Sequence, residues 1–221
     1  MQCERDRTDP TLCTSQAEGS CTLNDMAIDN QGNYILLGRR ASSGTGWVIK
    51  VDPDAIIPGE PCPYTVLIET LPKPWAGLGA APESNLFYGI GDGKVFTVEV
   101  NETSAGIIGS VSNPAFTGAA DVTAGPNGGI FAVVGTSAYE IEVDDDYKPT
   151  ETTTVVATGG ITTAAAAFCN SDQSYGISGT NADVYEFLDT PDGSFDPVGG
   201  SGWDSGIHGA AVAPVCGANV R

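Results

Sequence analysis

No apolar run in this chain approaches the ~20 residues that a membrane-spanning helix needs. Basic residues are scarce: nine Lys+Arg stand against 28 Asp+Glu, a net charge of −19 over 221 residues. Such a surface repels phosphate backbones and anionic lipid, which argues against nucleic-acid binding. Histidine occurs once, as His208, and the cysteines form neither a CxxC pair nor a Cys/His cluster. A zinc centre therefore lacks its usual ligands. The residues after Met1, "QCERDRTDPT", have no apolar leader core, so the expectation is that a signal peptide has been removed and a start methionine added, or that the chain is a fragment.

What is present is glycine (29), proline (14) and 41% apolar residues, with Val, Ile, Phe and Tyr in short runs. That is the composition of a turn-rich all-β protein rather than of a disordered chain. The six cysteines, Cys3, Cys13, Cys21, Cys62, Cys169 and Cys216, are even in number and scattered. They point to disulfides and an oxidising compartment, extracellular or periplasmic; free thiols in a reducing compartment are the alternative. Asn101-Glu102-Thr103 is a glycosylation sequon, a triplet that also arises by chance.

An internal repeat organises the chain. The segments "LNDMAIDNQGNYILLG" (23–38), "AGLGAAPESNLFYGIG" (76–91), "GAADVTAGPNGGIFAVVG" (118–135) and "TAAAAFCNSDQSYGISG" (163–179) share one plan. Each has a strand of small residues, a polar turn, a strand of larger apolar residues and a glycine. Equating Tyr34, Leu86, Ile130 and Ser174 gives spacings of 52, 44 and 44 residues. A third strand alternates in each unit, at 46–51, 94–100, 137–143 and 182–188, as a strand with one buried face does. A weaker fourth follows at 64–70, 105–111, 152–158 and 194–199. Four strands in about 44 residues make the blade of a β-propeller. In such a ring the first strand of each blade lies nearest the axis, and Ala and Gly let those backbones converge. "TTAAAAF" could be read as helix, but it is too short to be stable alone and its repeat position requires a strand.

The units resemble the blades of secreted bacterial propellers of the NHL and YVTN type, in which "D-x-x-G-N" separates the first two strands. Asp29-Asn30-Gln31-Gly32-Asn33 matches that pattern, and the resemblance covers roughly residues 23–217. The Gly-His and Trp-Asp pairs of WD repeats are missing, and "TPDGSF" (190–195) only brushes the Asp-box of sialidases. The expected fold is a small all-β propeller of four-stranded antiparallel blades, about five in number with the last incomplete. The blades would span 23–75, 76–117, 118–162 and 163–205, with a partial one at 206–217. The Cys-containing segment 1–22 would close or cap the ring, and a fragment of a larger propeller is the alternative.

Propellers usually bind ligands at the axial mouth, on the loops entering the first strand and joining the second to the third. Those loops here offer Asn24, Asp25, Trp75, Asp121, Trp203, Asp204 and His208, and then Arg39 and Arg40. Trp75 and Trp203 could stack on a sugar face or an extended peptide, or plug the gap between blades. Asp25, Asp121 and Asp204 could converge on Ca²⁺. Arg39-Arg40 could grip a carboxylate, or pair with nearby acids. His208 has no partner that sequence assigns. Three functional classes remain, the second of them implied by the resemblance. The favoured one is an extracellular binding module for a glycan, peptide or protein. The others are a metal-dependent lactonase or lyase, and a self-associating subunit whose unpaired C-terminal strand adds to another chain.

Overall fold

The computed structural model describes residues 21–40, 45–57, 63–71, 73, 75–81, 85–125, 129–170, 173–188, 190 and 192–199. They fold into four antiparallel four-stranded sheets arranged as the blades of a β-propeller. Blade 1 is β1 (Cys21–Ile28), β2 (Tyr34–Arg40), β3 (Gly46–Val51) and β4 (Thr65–Ile68). Blade 2 is β5 (Gly77–Ala80), β6 (Leu86–Gly91), β7 (Lys94–Val100) and β8 (Ala105–Ser112). Blade 3 is β9 (Ala119–Ala124), β10 (Ile130–Val134), β11 (Ser137–Val143) and β12 (Pro149–Thr158). Blade 4 is β13 (Ala164–Asn170), β14 (Gln173–Ser178), β15 (Val184–Glu186) and β16 (Asp196–Gly199). "TTAAAAF" is thus strand, not helix. After β3 the chain makes a 3₁₀ turn at Pro53–Ala55 before β4. The partial strand expected at 206–217 lies outside the described residues, as does the N-terminal segment up to residue 20.

Each blade is a meander with its first strand innermost. β1 packs beside β5, β5 beside β9, and β9 beside β13. The alanines and glycines are what permits this. A Cβ on Gly79 would lie 2.6 Å from the Val122 carbonyl oxygen, and one on Gly77 would collide with the Asp121 carboxylate and Cα. Ala164, Ala166 and Ala167 of β13 are all buried. Larger side chains there would force the backbones apart.

Between blades the sheets stack through apolar layers, and period-two alternation sends neighbouring residues to opposite layers. Phe87 of β6 joins Ile35, Leu37 and Trp75 in the layer shared with blade 1. Its neighbours Leu86, Tyr88 and Ile90 meet Val122, Ile130 and Ile141 of blade 3. Phe131 and Val133 of β10 face the other way, to Phe187 and Phe195 of blade 4. Blades 2 and 3 are therefore packed on both faces along their inner strands, and every residue of β6 is buried. The Tyr88 hydroxyl, which burial holds far above its ordinary pKa, donates to the Tyr147 carbonyl at 2.7 Å and ties blade 2 to blade 3.

The tight inner ring makes a stability prediction. Gly79→Ala drives a methyl into the β9 backbone and is expected to cost about 1–3 kcal/mol. Gly109→Ala, on β8 with nothing within 4 Å of the added Cβ, should stay within about 0.5 kcal/mol of the parent. Urea unfolding of both variants checks the contrast.

Candidate functional site

The inner ring carries the described chain's most unusual chemistry. β1, β9 and β13 each carry a β-bulge at matching points, where Asn24, Ala120 and Ala165 are the extra residues of the ladder. A bulge re-aims the side chain that follows it. In β1 and β9 that side chain is an aspartate, Asp25 or Asp121, buried to 5% and 0% exposure. Asp25 Oδ2 accepts from the Leu78 amide of blade 2 at 2.5 Å, and Oδ1 from the Met26 amide at 2.8 Å. Asp121 repeats the pattern one blade pair on: Oδ2 accepts from Ala167 of blade 4 at 2.5 Å, Oδ1 from Val122 at 2.7 Å. Inner strands expose amides toward the axis that no further strand pairs, and such groups are costly when buried and unmet. The two carboxyls meet them.

The carboxyls also meet each other. Burial, then the charge of Asp121 and a hydrogen bond to it, push Asp25 well above the usual carboxylate range. Burial raises Asp121 to about 7, offset by hydrogen bonds from Asp25, Ala167, Val122 and Leu78. The pair thus titrates as a unit above the ordinary carboxylate range, with a proton held between the two carboxyls.

The remaining sequence candidates take varied positions. Asn24 is half-buried, and its Nδ2 donates to the Trp75 carbonyl at 3.1 Å, joining the entry of blade 2 to blade 1. Trp75 is 1% exposed and sits in the core rather than on a rim. Its ring stacks on Phe96 with centroids 5.1 Å apart. It lies where a Cβ on Gly89 would stand, so that glycine makes room for the indole. Arg39 is exposed near the end of β2, and the Arg40 side chain is outside the described residues. Trp203, Asp204 and His208 are outside them too, with Cys3, Cys13, Cys62, Cys216 and the Cys21 side chain. Cys169, at the end of β13, is buried and disulfide-bonded. Among the described residues no three His, Cys, Asp or Glu side chains gather as a metal-binding group.

A second feature escaped the sequence reading. Between blades 1 and 2, on the face of the β1–β2 turn, lies a cleft of about 260 Å³ lined by Asp29, Gln31, Lys50, Asn85, Asn101 and Glu102. Its walls are braced. Asp29 Oδ1 accepts from the amides of Gln31 and Asn33, and Oδ2 from Asn33 Nδ2 at 2.8 Å. Gly32 takes a positive φ of 87° to close the turn. This is the physical content of "D-x-x-G-N". Opposite, the Val100 amide donates to Asn85 O and the Asn101 amide to Ser104 O, both at 2.8 Å. Lys50 forms no ion pair with any described residue.

Comparison with solved structures confirms the architecture. The chain resembles nidogen in the nidogen/laminin complex with a TM-score of 0.61 and 8% identity, over 87% of this chain and 69% of that one. It resembles a putative 6-phosphogluconolactonase of Bacteroides fragilis with a TM-score of 0.54 and 14% identity, over 85% and 56%. A second such protein, from Bacteroides uniformis, gives 0.53 and 13% over 86% and 56%. The chain therefore spans little more than half the length of either lactonase. No family model and no curated protein matches the sequence. At these identities the likeness establishes the propeller fold alone.

Trp75 is accordingly a structural residue. Trp75→Ala should cost about 3–5 kcal/mol in a denaturant titration, as removal of a fully buried aromatic does.

Proposed function

We propose that this chain is an extracellular binding module, akin to the secreted NHL- and YVTN-type propellers, which recognises its ligand through loops rather than turning over a substrate at its axis. One contrast carries the reading. The two described axial carboxyls are occupied in holding neighbouring backbones, whereas the cleft between blades 1 and 2 presents polar groups with few internal partners. Lys50 offers a cation, Glu102 a carboxylate, and Asn85 and Asn101 both donors and acceptors. That mixture suits a hydroxyl-rich ligand, so of the three partner classes a glycan is favoured. The braced turns hold the walls in place before the ligand arrives, which lowers the cost of binding. Nidogen, crystallised in complex with laminin, makes a protein ligand the principal rival outcome.

A glycan array probed with the purified chain tests this. Lys50→Ala and Asn85→Ala should each weaken the best binder about tenfold or more, the worth of one lost hydrogen bond to a charged or well-placed polar group. Their melting temperatures should stay at the parent value. An array without binders, or binding indifferent to both substitutions, overturns the reading.

A further inference from the structure

We propose that Asp25 and Asp121 form a one-proton clasp across the four blades, and that loss of this proton is a built-in switch that loosens the inner ring as pH rises. The inference is independent of the ligand reading and rests first on geometry. Asp25 reaches from β1 to the Leu78 amide of β5, Asp121 reaches from β9 to Ala167 of β13, and the Asp121 carboxylate stands where a Cβ on Gly77 would, so the two carboxyls converge on the same Gly77–Leu78 step. Carboxylates only accept hydrogen bonds. Two of them in contact need a hydrogen between them, so the arrangement itself requires a proton on one.

Among the described residues, the elements packed around the pair bring no other charged side chain against it. β5 is Gly-Leu-Gly-Ala, and β6, β10 and β13 carry no charged side chain. β9 has no charge but Asp121, and β1 none but Asp25. On β2 the charges are Arg39, which is exposed, and Arg40 at the strand's last position. Each carboxyl therefore has the other as its only close titrating partner among the described residues. His208 lies outside them and is varied in the test.

The direction of the switch follows from linkage. Burial lifts Asp121 from 3.8 to about 7, and Asp25 also stands well above 3.8. Between those limits the folded chain holds protons that the unfolded chain has released. Stability from the clasp is thus complete at the acid end and declines as pH rises through the window. Once the proton has passed to solvent, two buried negative charges face each other beside the Leu78 amide. This is the opposite of a salt-bridged surface carboxylate, which loses stability in acid.

The test follows the unfolding constant by urea titration from about pH 4 to 9. Asp25→Asn keeps one acceptor oxygen in place of the two that serve the Leu78 and Met26 amides, so it is less stable at every pH, but it has no proton to release and its pH slope isolates the clasp. The parent's unfolding constant should climb by up to about tenfold per pH unit more steeply than the variant's between about pH 4 and 7. Asp54→Asn, an exposed acid, and His208→Gln should both keep the parent's slope. Infrared spectroscopy of the parent should show a protonated carboxyl at neutral pH that weakens in Asp25→Asn. Exchange of the Leu78 and Ala167 amides should accelerate as that band is titrated away. Parallel pH profiles for parent and Asp25→Asn overturn the clasp. So does the absence of the protonated-carboxyl band from the parent, a readout that stands even if the variant does not fold.

Discussion

Everything in this molecule depends on how closely four inner strands approach one another. At β5 and β9 the separation leaves no room for a Cβ at Gly77 or Gly79. Crowding of that degree has two consequences. It demands small side chains, which explains the repeated alanines and glycines. It also removes water from strand edges whose amides have no partner strand, and so creates a debt of hydrogen bonds at the place with the least space. A bulge followed by aspartate settles both, because one carboxyl spans the gap without adding bulk where backbones touch. Blades 1 and 3 supply the acids, while blades 2 and 4 supply the amides of Leu78 and Ala167. The inner ring is thereby built from pairs of blades rather than from identical ones.

That alternation has an electrostatic reason. Two buried carboxyls in contact already require a shared proton. A third and fourth at the matching positions of blades 2 and 4 would bring further like charges into the same dry pole, and each would raise the cost of ionising the rest. Leu78 and Ala166 instead occupy the matching ladder positions, opposite Gly89 and Ile177. Exposed acids such as Asp54, Glu102 and Asp146 remain in water, where screening over a Debye length limits their repulsion.

The architecture was legible because it is written in periods. Three of the four third strands, at 46–51, 94–100 and 137–143, coincide with β3, β7 and β11. The last was read as 182–188 but is confined to Val184–Glu186, after Ala182 adopts a positive φ of 56°. The inner ring's chemistry was less legible. Asp25 and Asp121 stood out as acids among alanines, and their repeat spacing suggested convergence. Their partners, however, are backbone amides, which leave no mark in a side-chain pattern, so an open ligand set and a closed clasp look identical in sequence. Trp75 posed a similar difficulty. "KPWAG" has the composition of an exposed loop, and burial of its indole depends on Gly89, a gap in the otherwise bulky run of β6. A lone glycine in such a run is the one local sign that something large lies across it. The cleft between blades 1 and 2 gave no sign at all, since it joins turns from different blades.

The same division explains why the fold survives at 8–14% identity to other propellers. Stacking of blades requires alternation and volume, which many residue combinations satisfy, and the axis requires smallness and a few well-aimed acceptors. Neither constrains the residues at the far ends of the turns. Asp29 and Gly32 fix the path of the β1–β2 turn, but the side chains of Asn30 and Gln31 between them are exposed. Asn85, Asn101 and Glu102 are exposed in the same way at the ends of blade 2. A rigid frame that leaves such positions free of structural duty is where recognition can vary without cost to folding. By that logic, a change at the clasp alters the ring's stability and its response to pH, and a change at the cleft alters what the protein holds.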